Sequence, residues 1–230
     1  MQTVGIILIF VAVLAVIILV AILSAREDPQ DVKLAYAGKS ETQKQIIRYF
    51  MIAEQGFLKE KLWTDEDFDD YFNDAIKNTR ERALEKLGID EEQVKEIEPI
   101  SFQNMMYHND LTDKSALFKR GKDGKWRSSV YQANWLFFSD KQIFVCKTNL
   151  SFTDDTIKDR TFEYFYKDIT NISTEEKSEY IQRRGNLPYI EFKIIVPGDS
   201  FKCELYNTDK NEERERSIKA MRALLREKKA

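Results

Sequence analysis

The chain has 230 residues, 43% hydrophobic and 33% charged, with 36 Lys and Arg against 39 Asp and Glu and a formal net charge of −3. This mild acidity argues against a dedicated nucleic-acid binder, which carries a basic face or a strongly basic domain. Eight glycines and four prolines are too few for long disordered or collagen-like stretches.

Residues 4–23, VGIILIFVAVLAVIILVAIL, contain no charged or polar side chain. A stretch of this length, at about 1.5 Å per helical residue, matches a hydrocarbon core of about 30 Å. It predicts a transmembrane anchor within residues 1–25, with the lipid bilayer as its partner. A cleaved signal peptide fits less well. Met1-Gln2-Thr3 has no basic side chain, the apolar run is long, and a cut after Ala25 would put Leu23 at the −3 position. No Lys or Arg precedes the span, whereas Arg26, Lys33, Lys39 and Lys44 follow it. The positive-inside rule then predicts a single-pass protein of the cell membrane, N-terminus outside and the rest cytoplasmic.

Residues 26–39, with Pro29, Gly38 and mixed charge, read as a linker. A helical segment follows over 40–97. Ile46, Ile47, Phe50, Met51, Phe57 and Leu58 recur at helical spacing and predict a helix from Ser40 to Leu62. Thr64 and Asp67 resemble a capping box with Asp in place of Glu, and Trp63 and Phe68 have the spacing of a hydrophobic staple. The stripe Phe68, Tyr71, Phe72, Ala75, Ile76, Ala83, Leu84, Leu87 predicts one helix ending at Gly88. A short helix from Asp90 to Ile97 closes the segment. Asp65, Glu66, Asp67, Asp69 and Asp70 lack the alternation and glycine of a calcium loop and read as a solvated helix start.

From Glu98 the period changes. Seven β-branched and aromatic runs follow, beginning at Ile100, Lys125, Lys141, Arg160, Ser178, Leu187 and Ser200, with turn signals between them. Trp135-Leu136-Phe137-Phe138 and Ile143-Phe144-Val145-Cys146, split by Ser139 to Gln142, predict a hairpin in a buried sheet. An amphipathic helix over 211–228 presents Ile218, Met221, Leu224 and Leu225 on one face. Its other faces carry Arg214, Arg216, Lys219, Arg222, Arg226 and Lys228.

Seven antiparallel strands closed by one helix is the order of a pleckstrin-homology-like (PH-like) domain. WLFFSDKQIFVCK (135–147) resembles a hairpin of bacterial PH-like and GRAM-type domains. FEYFYKDITNIST (162–174) resembles the later stretch in which an aromatic strand leads into the next, and IKAMRALLREKK (218–229) resembles the closing helix. The resemblance covers 98–230. The whole chain is also similar to single-span membrane proteins of Gram-positive bacteria with the same order of anchor, helices and PH-like unit. The expected fold is therefore α+β: transmembrane helix, helical segment, then a seven-stranded β-barrel or sandwich capped by a helix.

No catalytic constellation stands out. There is no GxSxG, no P-loop spacing in GKDGK (121–125) and no GxGxxG. The single histidine, His108, has no ligand spacing around it. Cys146 and Cys203 lie in apolar runs and read as small buried hydrophobes in a reducing compartment. No enzyme activity, cofactor or metal is expected. The strongest candidate site is FKRGKDGKWR (118–127), where Lys119, Arg120, Lys122, Lys125 and Arg127 cluster around the Asp123-Gly124 turn. In phosphoinositide-binding PH domains, the resemblance implies, basic residues of this loop hold phosphate; an exposed hairpin tip charged for solubility has the same composition. The expected function is a membrane-anchored, non-enzymatic adaptor whose PH-like domain binds a protein or peptide. The alternatives are an anionic-lipid reader using the 119–127 hairpin, and an enzyme whose site has no recognisable motif.

Overall fold

The computed structural model describes residues 13–16, 18, 28–52, 62–94, 97–108, 111, 115–182, 184–206 and 211–229. It divides into two compact units, Met1–Asp70 and Tyr71–Ala230.

The expected anchor over 4–23 lies mostly outside the described residues. Residues 13–16 and 18 are helical, with Val13, Leu14, Val16 and Ile18 exposed. Among the described residues no helix is long and apolar enough to cross a membrane. The longest helix among the described residues has 19 residues, and most of its positions are charged or polar. This overturns the expected single-span architecture, and with it the cell-membrane location and the N-outside orientation.

In the first unit, helix α1 (Gln30–Tyr36) stands where the sequence reads as a linker. Helix α2 (Glu41–Met51) starts on a full capping box. The Gln43 backbone N–H donates to Ser40 Oγ at 3.2 Å, and the Ser40 N–H donates to Gln43 Oε1 at 2.9 Å. It ends at Met51, not Leu62; residues 53–61, the rest of the expected helix, lie outside the described residues. Its buried face carries Ile46, Ile47 and Tyr49. Tyr49 stacks on Phe68 at 4.9 Å, and Phe50 meets both rings edge-on. Arg48 is also buried, and its Nε lies 3.0 Å from Oδ2 of Asp28, whose side chain is similarly enclosed.

Helix α3 (Asp65–Ile76) has the predicted cap: Thr64 N–H donates to Asp67 Oδ2 at 2.7 Å and Asp67 N–H donates to Thr64 Oγ1 at 3.1 Å. The division between the units falls inside this helix. The single long helix expected to Gly88 is broken at Lys77-Asn78, and α4 (Thr79–Leu87) resumes beyond. Gly88 stops α4 with φ +65°, its N–H bonding back to Leu84 and Glu85 carbonyls. A single 3₁₀ turn, Glu91–Val94, follows.

Among its described residues the second unit holds nine strands in three antiparallel sheets, not seven strands in one barrel or sandwich. They are β1 (Ile100–Met106), β2 (Phe118–Arg120), β3 (Trp126–Ser128), β4 (Val130–Phe138), β5 (Gln142–Ser151), β6 (Thr156–Phe165), β7 (Asn171–Ile181), β8 (Gly185–Val196) and β9 (Asp199–Tyr206). The first sheet has the order β1-β4-β5-β6, the second is the ribbon β2-β3, and the third is β7-β8-β9. The count differs from expectation because the run 125–139 is cut at Ser129. That residue leaves the ladder to exchange bonds with Leu117: its N–H donates to Leu117 O at 2.8 Å, and its Oγ accepts from Leu117 N–H at 2.9 Å. The freed piece, β3, pairs instead with 118–120. Helix α5 (Asn211–Lys229) closes the described chain.

The dense hairpin expected from the sequence is β4–β5, and its register sets Phe138 opposite Ile143 and Trp135 opposite Cys146. Alternation sends Leu136, Phe138, Ile143 and Val145 into one core with Phe192, Ile194, Phe201 and Cys203 of the third sheet and Ile218, Met221 and Leu225 of α5. It sends Phe137 and Cys146, with Trp135 and Phe144, into a second core against Ala83 and Leu84 of α4. The first sheet is thus covered on both faces at this end, which is why its central strands are apolar without a break over 135–138 and 143–146. Burying this surface contributes about 25 cal/mol per Å².

Candidate functional site

The helix α5 rests on the core through Ile218, Met221 and Leu225, all buried. At helical spacing its two flanks then fall over two grooves. One flank offers Arg216, Ala220 and Leu224 to an open groove of about 970 Å³, floored by Ile100, Trp135 and Phe138. The other offers Arg222 and Arg226 to a groove of about 380 Å³ whose far wall is Ile169, Thr170, Asn171 and Ile172, where β7 begins.

Each groove lies beside the edge strand of a sheet, β1 at Ile100 and Ser101 in the first and β7 in the second, and β7 is the longer. β7 is an edge of the third sheet, bonded only to β8 among the described strands, and it runs for 11 residues. Half of an edge strand's backbone N–H and C=O groups face outward, a template for another chain. Edge strands are commonly guarded by charge, and β7 is guarded unevenly. Glu175, Glu176, Lys177 and Glu179 occupy its second half, whereas Asn171-Ile172-Ser173-Thr174 is uncharged. The uncharged half is the half beside α5. There Arg222 donates from one guanidinium nitrogen to Thr174 Oγ1 at 2.9 Å, and Arg226 is exposed. The site thus combines an open backbone edge, an apolar floor from Ile172 and Leu225, and two guanidinium groups. That combination can hold an extended chain by main-chain hydrogen bonds and select acidic side chains.

The five basic residues singled out in the sequence are brought together on the β2–β3 ribbon, with Lys119 opposite Arg127. They do not all face outward. Arg127 is 2% exposed, and its two terminal nitrogens donate to Asp123 Oδ1 at 2.9 Å and Oδ2 at 2.8 Å. The hydrogen bond from Arg127, then that from the Lys125 backbone N–H, holds the Asp123 carboxyl far below the usual carboxylate range. Arg120 Nε donates to Gly124 O at 2.9 Å. Two of the five cations expected to read phosphate, Arg120 and Arg127, therefore close the loop on itself. Lys122 and Lys125 are exposed and Lys119 is half-buried. The ribbon is held from the β7–β8 turn, where the Arg184 guanidinium lies 4.1 Å from the Tyr107 ring centre and 5.0 Å from that of Trp126.

Other reactive groups are engaged structurally. Cys146 and Cys203 are free thiols and buried, and burial pushes the Cys146 thiol up. His108 lies 3.7 Å from Glu204. Among the described residues no group of three or more His, Cys, Asp or Glu is placed to hold a metal ion. The sequence shows the basic face of α5, but not that β7 is an edge beside it, because an edge is a property of sheet order. Comparison with family models, curated proteins and solved structures gave no match.

Proposed function

We propose that residues 98–230 are a PH-like, non-enzymatic binding module that takes an extended acidic segment of a protein along β7, in the groove beside α5. What supports the PH-like reading is the strand order. With the β2–β3 ribbon treated as an insertion, a four-stranded meander (β1, β4, β5, β6), a three-stranded meander (β7, β8, β9) and a closing helix remain. The observation that carries the binding function is the uncharged, outward-facing first half of β7 beside Arg222 and Arg226.

The test is selection of binders from a displayed peptide library with the full chain as bait, followed by hydrogen exchange on the complex. Enriched peptides are expected to be acidic, to slow exchange across 171–174, and to be lost in Arg222→Glu/Arg226→Glu. Peptides that protect another surface, or that survive the charge reversal, would remove this reading. Salt-sensitive binding to anionic vesicles, abolished by Lys122→Glu/Lys125→Glu, would move the site to the ribbon.

A further inference from the structure

The face of β1 and β4 turned toward the third sheet is not apolar throughout. Phe102 and Leu136 belong to the main core at one end, and Met106 and Val130 to a separate cluster with Leu187 and Tyr206 at the other. Between them the strands place Asn104, Gln132 and Asn134, which are 5%, 2% and 0% exposed. The register sets Asn104 opposite Gln132 and Gln132 opposite Asn149, an amide row across three strands.

The hydrogen bonds in this layer run one way. Asn134 Nδ2 donates to Phe102 O at 3.2 Å and to Gln132 Oε1 at 3.0 Å, and Gln132 Nε2 donates to Asn149 Oδ1 at 2.9 Å. Asn104 Nδ2 has only the soft acceptor Met106 Sδ at 3.3 Å. Two carbonyl oxygens, Asn104 Oδ1 and Asn134 Oδ1, are enclosed, and no donor of the described residues reaches them. Buried amide oxygens left in that state are costly, and folded proteins meet them with an internal donor. Two acceptors on adjacent strands, with the neighbouring amides already committed as donors, call for a species that brings hydrogens. An anion or an acceptor-only group would be repelled.

We infer that the polar layer between the two sheets is an internal site for a small hydrogen-bond donor, which binds at Asn104 Oδ1 and Asn134 Oδ1. Water has this chemistry, with two hydrogens to give and the size for a closed interior. A small amide, amine or alcohol has the same chemistry.

The test uses the full chain labelled with ¹³C and ¹⁵N. Rotating-frame cross-peaks between the side-chain amide protons of Asn104 and Asn134 and a slowly exchanging solvent molecule are expected if water fills the site. Native mass spectrometry distinguishes the sources: a bound organic donor adds its own mass, and water leaves the chain mass alone after desolvation. Asn104→Leu removes one orphan carbonyl while leaving the bonds of Asn134 in place, and should weaken the Asn134 cross-peak several-fold without lowering the melting temperature. If that variant does not fold, the cross-peaks of the unmodified chain decide. Absence of both cross-peaks and added mass would overturn the inference. So would a crystal structure in which the Asn104 amide is turned over to donate directly to Asn134 Oδ1.

Discussion

Arg82 reaches from α4 to the outer face of the first sheet and grips Asp159 of β6, donating from Nε at 3.1 Å and from a terminal nitrogen at 2.6 Å to Oδ2. The Thr148 hydroxyl donates to the other oxygen of the same carboxylate, Oδ1, at 2.8 Å. Burial alone would raise the Asp159 carboxyl, but the bonds from Arg82 and Thr148 outweigh it and hold it below its ordinary value. As pH falls the unfolded chain takes up this proton first. The stabilisation is therefore complete above about pH 4 and is lost as acid approaches the lower folded value. Asp159→Asn is expected to flatten the acid limb of the stability curve, read by urea unfolding from pH 3 to 7. Arg82→Ala leaves a largely buried carboxylate short of its main partner and should cost about 2 kcal/mol at pH 7 in the same assay. The two thiols offer a simpler check. Both should react with a thiol reagent only after denaturation, so fast labelling of the native chain would contradict their burial. At this scale the sequence misleads where charge is spent inward. Arg127 counts as a solvent-facing cation in a basic loop, yet Asp123 four residues earlier turns it into a buried closure of that loop. Neither could the orphan amides of Asn104 and Asn134 be anticipated, because their satisfaction depends on strand register.

The helix starts at Ser40, Thr64 and Asp90 were legible because capping is local. Ser40-Gln43, Thr64-Asp67 and Asp90-Gln93 all close reciprocally, each within three residues. Gly88 was legible for the same reason, and its role can be measured. Its φ of +65° disfavours any L side chain, although a Cβ there would meet nothing within 4 Å. Gly88→Ala should thus cost about 1 kcal/mol through the backbone alone, seen as a lower urea midpoint with unchanged slope. The break of the long stripe at Lys77-Asn78 was not legible, since the apolar positions on either side keep helical spacing. The ribbon was missed for a related reason. A three-residue strand such as Phe118–Arg120 is too short for alternation to register, and it exists only because Ser129 draws the chain away from β4.

Across the second unit, the change to strands and the closing helix followed from changes of period, whereas the number of strands and their partition into sheets did not. Nothing in the runs 160–175 and 178–182 marks the change from the first sheet to the third, which occurs at the 3₁₀ turn Tyr166–Asp168. That corner is fixed by tertiary bonds: Tyr166 donates from its hydroxyl to Ser139 O at 2.8 Å and from its N–H to Lys141 O at 3.0 Å. Burial, then the nearby Asp140, pushes its phenol up to about 12. Tyr166→Phe should keep the fold and cost about 1 kcal/mol, measured by urea unfolding. The cover on both faces of β4 and β5 also has a temporal consequence. Strands with solvent on one side can lose a few bonds at a time, but here an amide can meet water only after α4 has lifted from one side or the third sheet and α5 from the other. Exchange at these amides should therefore wait on opening of the whole unit, making 135–138 and 143–146 its slowest clock, while the first half of β7 exchanges its outward amides almost at once.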